Sequence, residues 1–243
     1  MTTNYIFDLD GTLTNAREHI DTQFKDFMHE FTDKYSCSIC TGSDYAKVEQ
    51  QLGKELTDKF DTLFLSSGNH VMQDGEDKYK STWKLSGEEY WFLMEKAEDS
   101  KFFDKTVSQH HNIEQRIGCA NFSVIARDSS LMDRQAYHNW DNDRNERKSI
   151  VKQFTDLFGY KSSAVVGGKV SIDIIQKGKD KAQILQYFET SDIIHFFGDK
   201  ITPNGNDYTL AMAINELDNG TSHNVTNWQE THEILQRHIK RHF

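Results

Sequence analysis

Two carboxylates one residue apart, Asp8 and Asp10, follow the apolar run Tyr5, Ile6 and Phe7 and are followed at once by Gly11, Thr12 and Thr14. Carboxylates so placed have three kinds of chemistry open to them: holding a hard cation, attacking an electrophile, or moving a proton. Tyr5, Ile6 and Phe7 are strand formers, so a buried strand ends near Asp8, where Gly11 lets the backbone turn. Period-two alternation points Asp8 and Asp10 the same way. In open α/β sheets ligands gather outside the carboxyl ends of the strands, which is where this pair falls.

Two more loops carry similar residues, "KGKDK" at 177–181 and "FFGDKITPNGND" at 196–207. A magnesium ion takes hard oxygen ligands, usually one or two carboxylates with waters and phosphate oxygens. Asp8 and Asp199, each just past a buried strand, supply that pair. A carboxylate also attacks phosphorus to give an aspartyl phosphate, provided a metal and a lysine offset the repulsion between two anions. Lys181 is the candidate lysine. Any one of these loops reads equally as an ordinary turn, since Asp and Gly favour turns; three at equivalent ends of one sheet read as a site.

The elements that must hold these loops are legible in the periodicity. Ile20, Phe24, Phe27, Met28, Phe31 and Tyr35 recur at helical spacing, the stripe of a helix packed on a sheet. "SCSIC" and "TLFLSS" read as the next strands, with the helix "DYAKVEQQLG" between them. This β-α-β-α-β rhythm predicts a parallel sheet with right-handed crossovers. From about residue 80 the pattern becomes a helix "GEEYWFLMEKAED", strands "NIEQRI" and "NFSVIAR", a charged helix "NERKSIVKQFTDLF", and strands "SSAVV" and "KVSIDII". Paired strands imply an antiparallel α+β module. The first rhythm then resumes with helix "KDKAQILQYF", strand "IIHFFGD", a short helix near "NDYTLAMAI" and a last helix "WQETHEILQRHIKRH". The expected fold class is α/β: a Rossmann-like parallel-sheet core, residues 1–79 and 178–243, with an α+β cap domain, residues 80–177, inserted into it. Linkers are expected near 76–84 and 175–180, where Gly75 and Gly178 sit among polar residues.

At 243 residues and 36% hydrophobic, the chain can bury a sizeable core. A formal net charge of −10 argues against a general nucleic-acid binder, and no uninterrupted apolar run is long enough to cross a bilayer, so neither nucleic acid nor membrane is an expected partner. Three cysteines cannot all pair, and with no basic, apolar export signal the expected location is cytoplasmic. Cys37 and Cys40 form a C-x-x-C, but on a strand residues three apart point to opposite faces and cannot chelate one ion; both read as buried small hydrophobes.

"DLDGTLT" resembles the D-x-D-G-T signature of the haloacid dehalogenase superfamily of phosphotransferases, with Lys181 and "GDK" at Asp199 matching its later motifs. Within that superfamily the chain resembles the eukaryotic-type phosphomannomutases nearly from end to end, in "DGTLTNAR", "GSDYAKVEQQLG", "SVIAR", "GGKVSID", "GKDK" and "FFGDKITPNGND". The resemblance implies interconversion of mannose 6-phosphate and mannose 1-phosphate, a hexose phosphate substrate, Mg2+, a hexose 1,6-bisphosphate activator, and a homodimer formed through the cap. It makes Asp8 the nucleophile and Asp10 the general acid and base, and it places magnesium on Asp8, Asp199 and the backbone carbonyl of Asp10. Ser43 matches the family's serine after the second strand, while Thr41 has the better spacing for the wider superfamily. Arg116, Arg127 and Arg134 match the arginines that hold the distal phosphate, Ser171 and Asp173 the groups that meet the sugar, and Arg17 a further sugar-phosphate ligand. The chain departs from the family pattern at Ala16, Gln115 and Asn204, and after Asp207 it reads "YTLAMAINELDNG" without the family's further aspartate.

The arginines also have a physical reading. A protein of this charge that binds a dianionic sugar phosphate must concentrate positive charge locally, and guanidinium forks suit phosphate oxygens. Arg116 and Arg127 are expected to end adjacent strands of the inserted module. Two rival readings share the core chemistry in whole or part: a magnesium-dependent sugar-phosphate phosphatase of the same superfamily, in which water attacks, and a non-catalytic sugar-phosphate binder.

Overall fold

The computed structural model describes residues 2–104, 111–203 and 205–241. Asn204, one of the departures noted above, lies outside the described residues. The chain divides into two compact units, residues 1–80 with 178–243, and residues 81–177.

In the first unit β1 (Thr3–Phe7), α1 (Thr22–Thr32), β2 (Ser36–Cys40), α2 (Tyr45–Leu52), α3 (Lys54–Thr57) and β3 (Thr62–Leu65) come first. A hairpin of β4 (His70–Gln73) and β5 (Glu76–Lys80) follows. After the second unit the chain returns with β10 (Ile193–Gly198), α7 (Tyr208–Asn215), β11 (Gly220–Asn224) and α8 (Trp228–Arg241). The seven strands form one sheet in the order β11-β10-β1-β2-β3-β4-β5. The first five are parallel and the last two antiparallel. The order changes direction at β1, flanked by β10 and β2, and such a switch point opens a crevice at the strand ends.

Strand alternation divides the core between the two faces of this sheet. Tyr5, Phe7, Cys37 and Ile39 pack with Phe24, Met28 and Phe31 of α1 and Leu235 of α8. Ile6 and Cys40 pack on the other face with Phe64, Phe196, Leu210 and Ile214. Cys37 and Cys40 are thus buried free thiols on opposite faces.

One expectation for this unit is corrected. Residues 76–80, expected to be linker, form β5, because Asp74 and Gly75, both at positive φ, supply the two-residue turn that pairs it with β4. The helix expected at the re-entry is a 3-10 helix, Lys181–Tyr187, begun by the Asp180 carboxylate accepting from Ala182 N at 2.9 Å. β11, with the sequence "GTSHN", has little strand propensity and exists because β10 offers it a parallel edge.

The second unit holds a four-stranded antiparallel sheet. Its elements are α4 (Gly87–Glu98), β6 (Ile113–Arg116), β7 (Cys119–Ser123), α5 (Leu131–Arg144), α6 (Glu146–Phe158), β8 (Ser162–Gly167) and β9 (Ser171–Gln176). Sheet order is β6-β7-β9-β8. Ala120, Phe122, Ile172 and Ile174 point into a core shared with Leu93, Met94, Tyr137 and Phe154. Phenylalanines so buried are each worth about 3–5 kcal/mol against alanine. α4 opens with a reciprocal capping box between Ser86 and Glu89. α5 was not expected from the sequence: only Tyr137 and Asp141 of its fourteen residues are buried, so it carries no apolar stripe.

Candidate phosphoryl-transfer site

Asp8 extends β1 by one pairing, its N–H donating to Phe197 O at 2.9 Å. That hydrogen bond sets its carboxylate beside the loop that leaves β10. Lys181 Nζ lies 2.6 Å from Asp8 Oδ1 and 2.6 Å from Asp207 Oδ1. Lys181 is 1% exposed, Asp8 3% and Asp207 0%, so the clamp is sealed from solvent. Asp207 also accepts from Lys200 N through Oδ2 at 3.0 Å. Asp199, just past β10, stands half-buried, with Oδ2 3.3 Å from Lys200 Nζ.

Two glycines make this convergence possible. Gly11 sits at φ +86°, and a β-carbon on it would fall 2.5 Å from Asp199 Oδ2. A β-carbon on Gly198 would fall 2.9 Å from the carboxylate of Asp207. Any larger residue at either position would push an acid out of the cluster.

The electrostatics follow from burial. Burial pushes the Asp8 carboxyl up to about 6, against the pull of Lys181 and with a further push from Asp207. Burial works against the charge of Lys181, yet the two carboxylates outweigh it and hold its pKa above the ordinary lysine value. Burial also raises Asp199. Carboxylate oxygens of Asp8, Asp199 and Asp207 lie within 4.8 Å of one another. Three carboxylates against the ammoniums of Lys181 and Lys200 leave net negative charge, which favours a bound cation. Asp199 Oδ1 is buried without a hydrogen-bond partner among the described residues. An orphaned oxygen in an all-oxygen donor set fits a hard cation such as magnesium.

Asp10 stands apart from this clamp. Its Oδ1 accepts from Arg17 N at 2.8 Å and from Gln51 Nε2 at 3.3 Å. Gln51, buried on α2, is itself held by the Thr14 hydroxyl at 2.6 Å. Arg17 adopts φ 66°, a conformation uncommon outside glycine, so the backbone is bent to deliver that N–H. Thr41 follows β2, with its hydroxyl accepting from Ser43 N at 3.1 Å. Both residues are buried in the same turn beyond the strand end.

The second unit gathers the remaining candidates. Arg116 and Arg127 share Glu114: Arg116 Nε donates to Glu114 Oε2 at 2.7 Å, and Arg127 Nη2 lies 2.5 Å from the same oxygen. Arg127 Nη1 donates to Asn121 at 2.6 Å, and Asn121 donates to Asp173 at 2.5 Å. Arg134 Nη1 donates to Arg127 O at 3.0 Å. His111, Ile113, Glu114, Arg127 and Asp128 line a cleft of about 420 Å³. Arg116 does end β6, but Arg127 does not end β7, which stops at Ser123. Asn112 explains the early stop, its side-chain amide donating to Ser123 O and Val124 O, both at 2.9 Å, where the ladder would continue. Ser171 and Asp173 alternate with Ile172 on β9 and so share its outward face. Gly167 leaves room for them, since a β-carbon there would fall 2.3 Å from Asp173 Oδ2.

Three positioning residues escaped the sequence reading. Asp207 carries one usable signal, an acid shortly after Asp199 on a glycine-bearing return, from which a carboxylate can partner Lys181. Gln51 carried no signal, being one of several polar residues on a helix. Arg147 is 4% exposed and paired with Asp141 at 2.7 Å; it donates to Gly167 O, Gly168 O and Ser171 O at 2.9, 3.1 and 3.3 Å, fixing the β8–β9 turn.

Residues 24–241 match the family described as eukaryotic phosphomannomutase. The chain is 32% identical over 230 residues to the phosphomannomutase of Spinacia oleracea, covering 93% of this chain and 91% of that one. It is 32% identical over 233 residues to that of Arabidopsis thaliana, covering 93% and 92%. Among solved structures it resembles a haloacid dehalogenase-like hydrolase from Bacteroides thetaiotaomicron, with a TM-score of 0.65 at 12% identity over 98% of this chain and 99% of that one. A trehalose-6-phosphate phosphatase related protein aligns with a TM-score of 0.56 at 15% identity over 97% and 96%. The haloacid dehalogenase-like fold and the extent of sequence identity lead to one conclusion: the chain belongs to the eukaryotic phosphomannomutase family.

Proposed function

We propose that this protein interconverts mannose 6-phosphate and mannose 1-phosphate through an aspartyl phosphate on Asp8. The observation that carries the reading is the buried clamp in which Lys181 touches Asp8 and Asp207. An ammonium fixed 2.6 Å from a carboxylate offsets the repulsion that an approaching phosphate would meet. Near-complete burial of Asp8 keeps water from the acyl phosphate once it forms.

In the forward half-reaction an Asp8 oxygen bonds to phosphorus of a hexose 1,6-bisphosphate, the bond from phosphorus to the sugar oxygen breaks, and Asp10 gives that oxygen a proton. In the return half-reaction a hexose monophosphate binds with its unphosphorylated end toward Asp8, and Asp10 takes the proton from that free hydroxyl. That oxygen then attacks phosphorus and restores the Asp8 carboxylate. Arg17 N and Gln51 Nε2 hold the Asp10 carboxylate for both steps. Magnesium would be held by Asp8, Asp199 and the Asp10 backbone carbonyl, where it would neutralise phosphoryl charge. Arg116, Arg127 and Arg134 would take the phosphate that is not reacting, displacing Glu114 from the first two, and Ser171 and Asp173 would meet the sugar. Ser43 or Thr41 would donate to the transferring phosphoryl group. Large apolar side chains exposed on the second unit, Trp91, Leu131 and Met132 among them, support assembly of two copies through that unit, which light scattering would test.

The test of the activity is phosphorus NMR of mannose 1-phosphate mixed with protein, magnesium and a trace of hexose bisphosphate. Isomerisation that outpaces phosphate release and requires the bisphosphate is the expected result. Phosphate release without isomerisation would replace this reading with the phosphatase one.

A further inference from the structure

His195, His223 and His238 come from β10, β11 and α8, and one ring nitrogen of each lies within 4.8 Å of the others. The register sets two of them on one face: β10 and β11 run parallel with Phe197 opposite His223, two residues beyond His195. His223 Nε2 stands 3.3 Å from His195 Nδ1. In a tetrahedral site with metal–nitrogen bonds of about 2.0–2.1 Å, neighbouring ligand nitrogens stand roughly 3.3–3.4 Å apart, so this pair is already spaced as one edge of such a site. His238 reaches the pair from the helix layer, its ring centroid 4.8 Å from that of His195 and 5.5 Å from that of His223.

The surroundings fix the rings. Tyr5 stacks on His195 at 5.2 Å and Phe197 on His223 at 4.4 Å. Burial pushes His223 down to about 4, helped by the neighbouring His195 and His238. Neutral imidazole is the form that binds a metal. All three residues are only half-buried, so solvent reaches the cluster.

We propose that this triad is a binding site for a divalent transition-metal ion of the zinc type, with three imidazole ligands and a fourth position for water, pinning α8 to β10 and β11. The donors are nitrogen, unlike the all-oxygen set of Asp8, Asp199 and Asp207. His195 precedes Asp199 by four residues, roughly 13 Å of extended strand, so the two sites are separate.

The test is a zinc titration of the metal-stripped full chain in excess magnesium, read by a competing chromophoric chelator, with Co2+ as the spectroscopic probe. One zinc per chain, a raised Tm and the strong visible absorption of tetrahedral Co2+ are expected. His195→Gln and His238→Gln should each weaken zinc binding by at least about a hundredfold, remove the Co2+ band, and leave magnesium-dependent isomerase activity unchanged. Equal zinc uptake by the wild type and the His195→Gln/His238→Gln double variant overturns the proposal. So does a wild-type chain that takes up no zinc in excess magnesium, a result that depends on no variant folding.

Discussion

Lys181 and Asp207 meet at 2.6 Å with both side chains wholly buried, and the same ammonium reaches Asp8 at the same distance. Breaking one half of a buried ionic pair leaves charge without a partner. Asp207→Asn should therefore lower stability by about 3–5 kcal/mol, and turnover should fall at least tenfold because the lysine shifts from its place on Asp8. Thermal melts and a coupled isomerase assay measure both. Wild-type values for each would show that Asp207 does not position Lys181.

Asp10 is tied to the backbone of Arg17 and the side chain of Gln51. Replacing it with asparagine keeps a hydrogen-bonding group but removes the transferable proton, so chemistry-limited turnover should fall about a hundred- to ten-thousand-fold. Single-turnover kinetics with a pre-phosphorylated enzyme isolates that step. A loss below threefold would contradict the assignment.

Gly11 and Asp199 occupy adjoining space. Gly11→Ala forces a β-carbon onto the Asp199 carboxylate and also adopts a φ that costs about 1–3 kcal/mol away from glycine. Stability should drop by about that amount, and the concentration of magnesium needed for half-maximal activity should rise. Calorimetry reads the first effect and a magnesium titration of activity the second; an unchanged magnesium requirement would mean that Asp199 is not a ligand.

Arg127 and Arg134 lie side by side through the Arg127 carbonyl. If they grip the phosphate that is not reacting, Arg127→Ala removes a charge-assisted contact worth about 1.5–3 kcal/mol, and isomerisation falls tenfold or more. Transfer to water should survive, so the ratio of free phosphate to isomerised sugar rises. An unchanged ratio in both single variants would remove the arginines from the site.

Glu89 closes the capping box of α4. Burial pushes its carboxyl up, but the nearby Ser162 hydroxyl, hydrogen bonds from Ser86 and the Lys161 charge draw it below the usual range. A depressed carboxyl contributes stability that is present above the unfolded value of about 4.3 and is lost as pH falls through the depressed one. Glu89→Gln should therefore melt lower than wild type at neutral pH, and the gap should close in acid. Parallel melts at both pH values check the sign; a gap that widens in acid would reverse it.

Local pattern carried much of this protein. The alternation in Tyr5, Ile6 and Phe7, the helical stripe from Phe24 to Phe31, and the turn chemistry around Gly11 and Gly198 are nearest-neighbour properties, readable because each residue's preference agrees with its surroundings. Asp8 and Asp199 were legible for the same reason, each standing at the end of an apolar run, and Lys181 as the lysine of the charged loop 177–181. Tertiary structure decided what depends on a partner far along the chain. β11 is a strand only because β10 lies beside it, and α5 is a helix with almost no apolar face of its own. Arg127 leaves the β7 ladder because Asn112 takes the carbonyls the ladder would have used. Asp207 turns inward because Lys181 is buried opposite it, and three histidines spread over more than forty residues meet because two strands and a helix stack there. Sequence spacing encodes direction along an element, whereas the distance between elements is set by packing, and that is the quantity on which charge pairing and metal ligation depend.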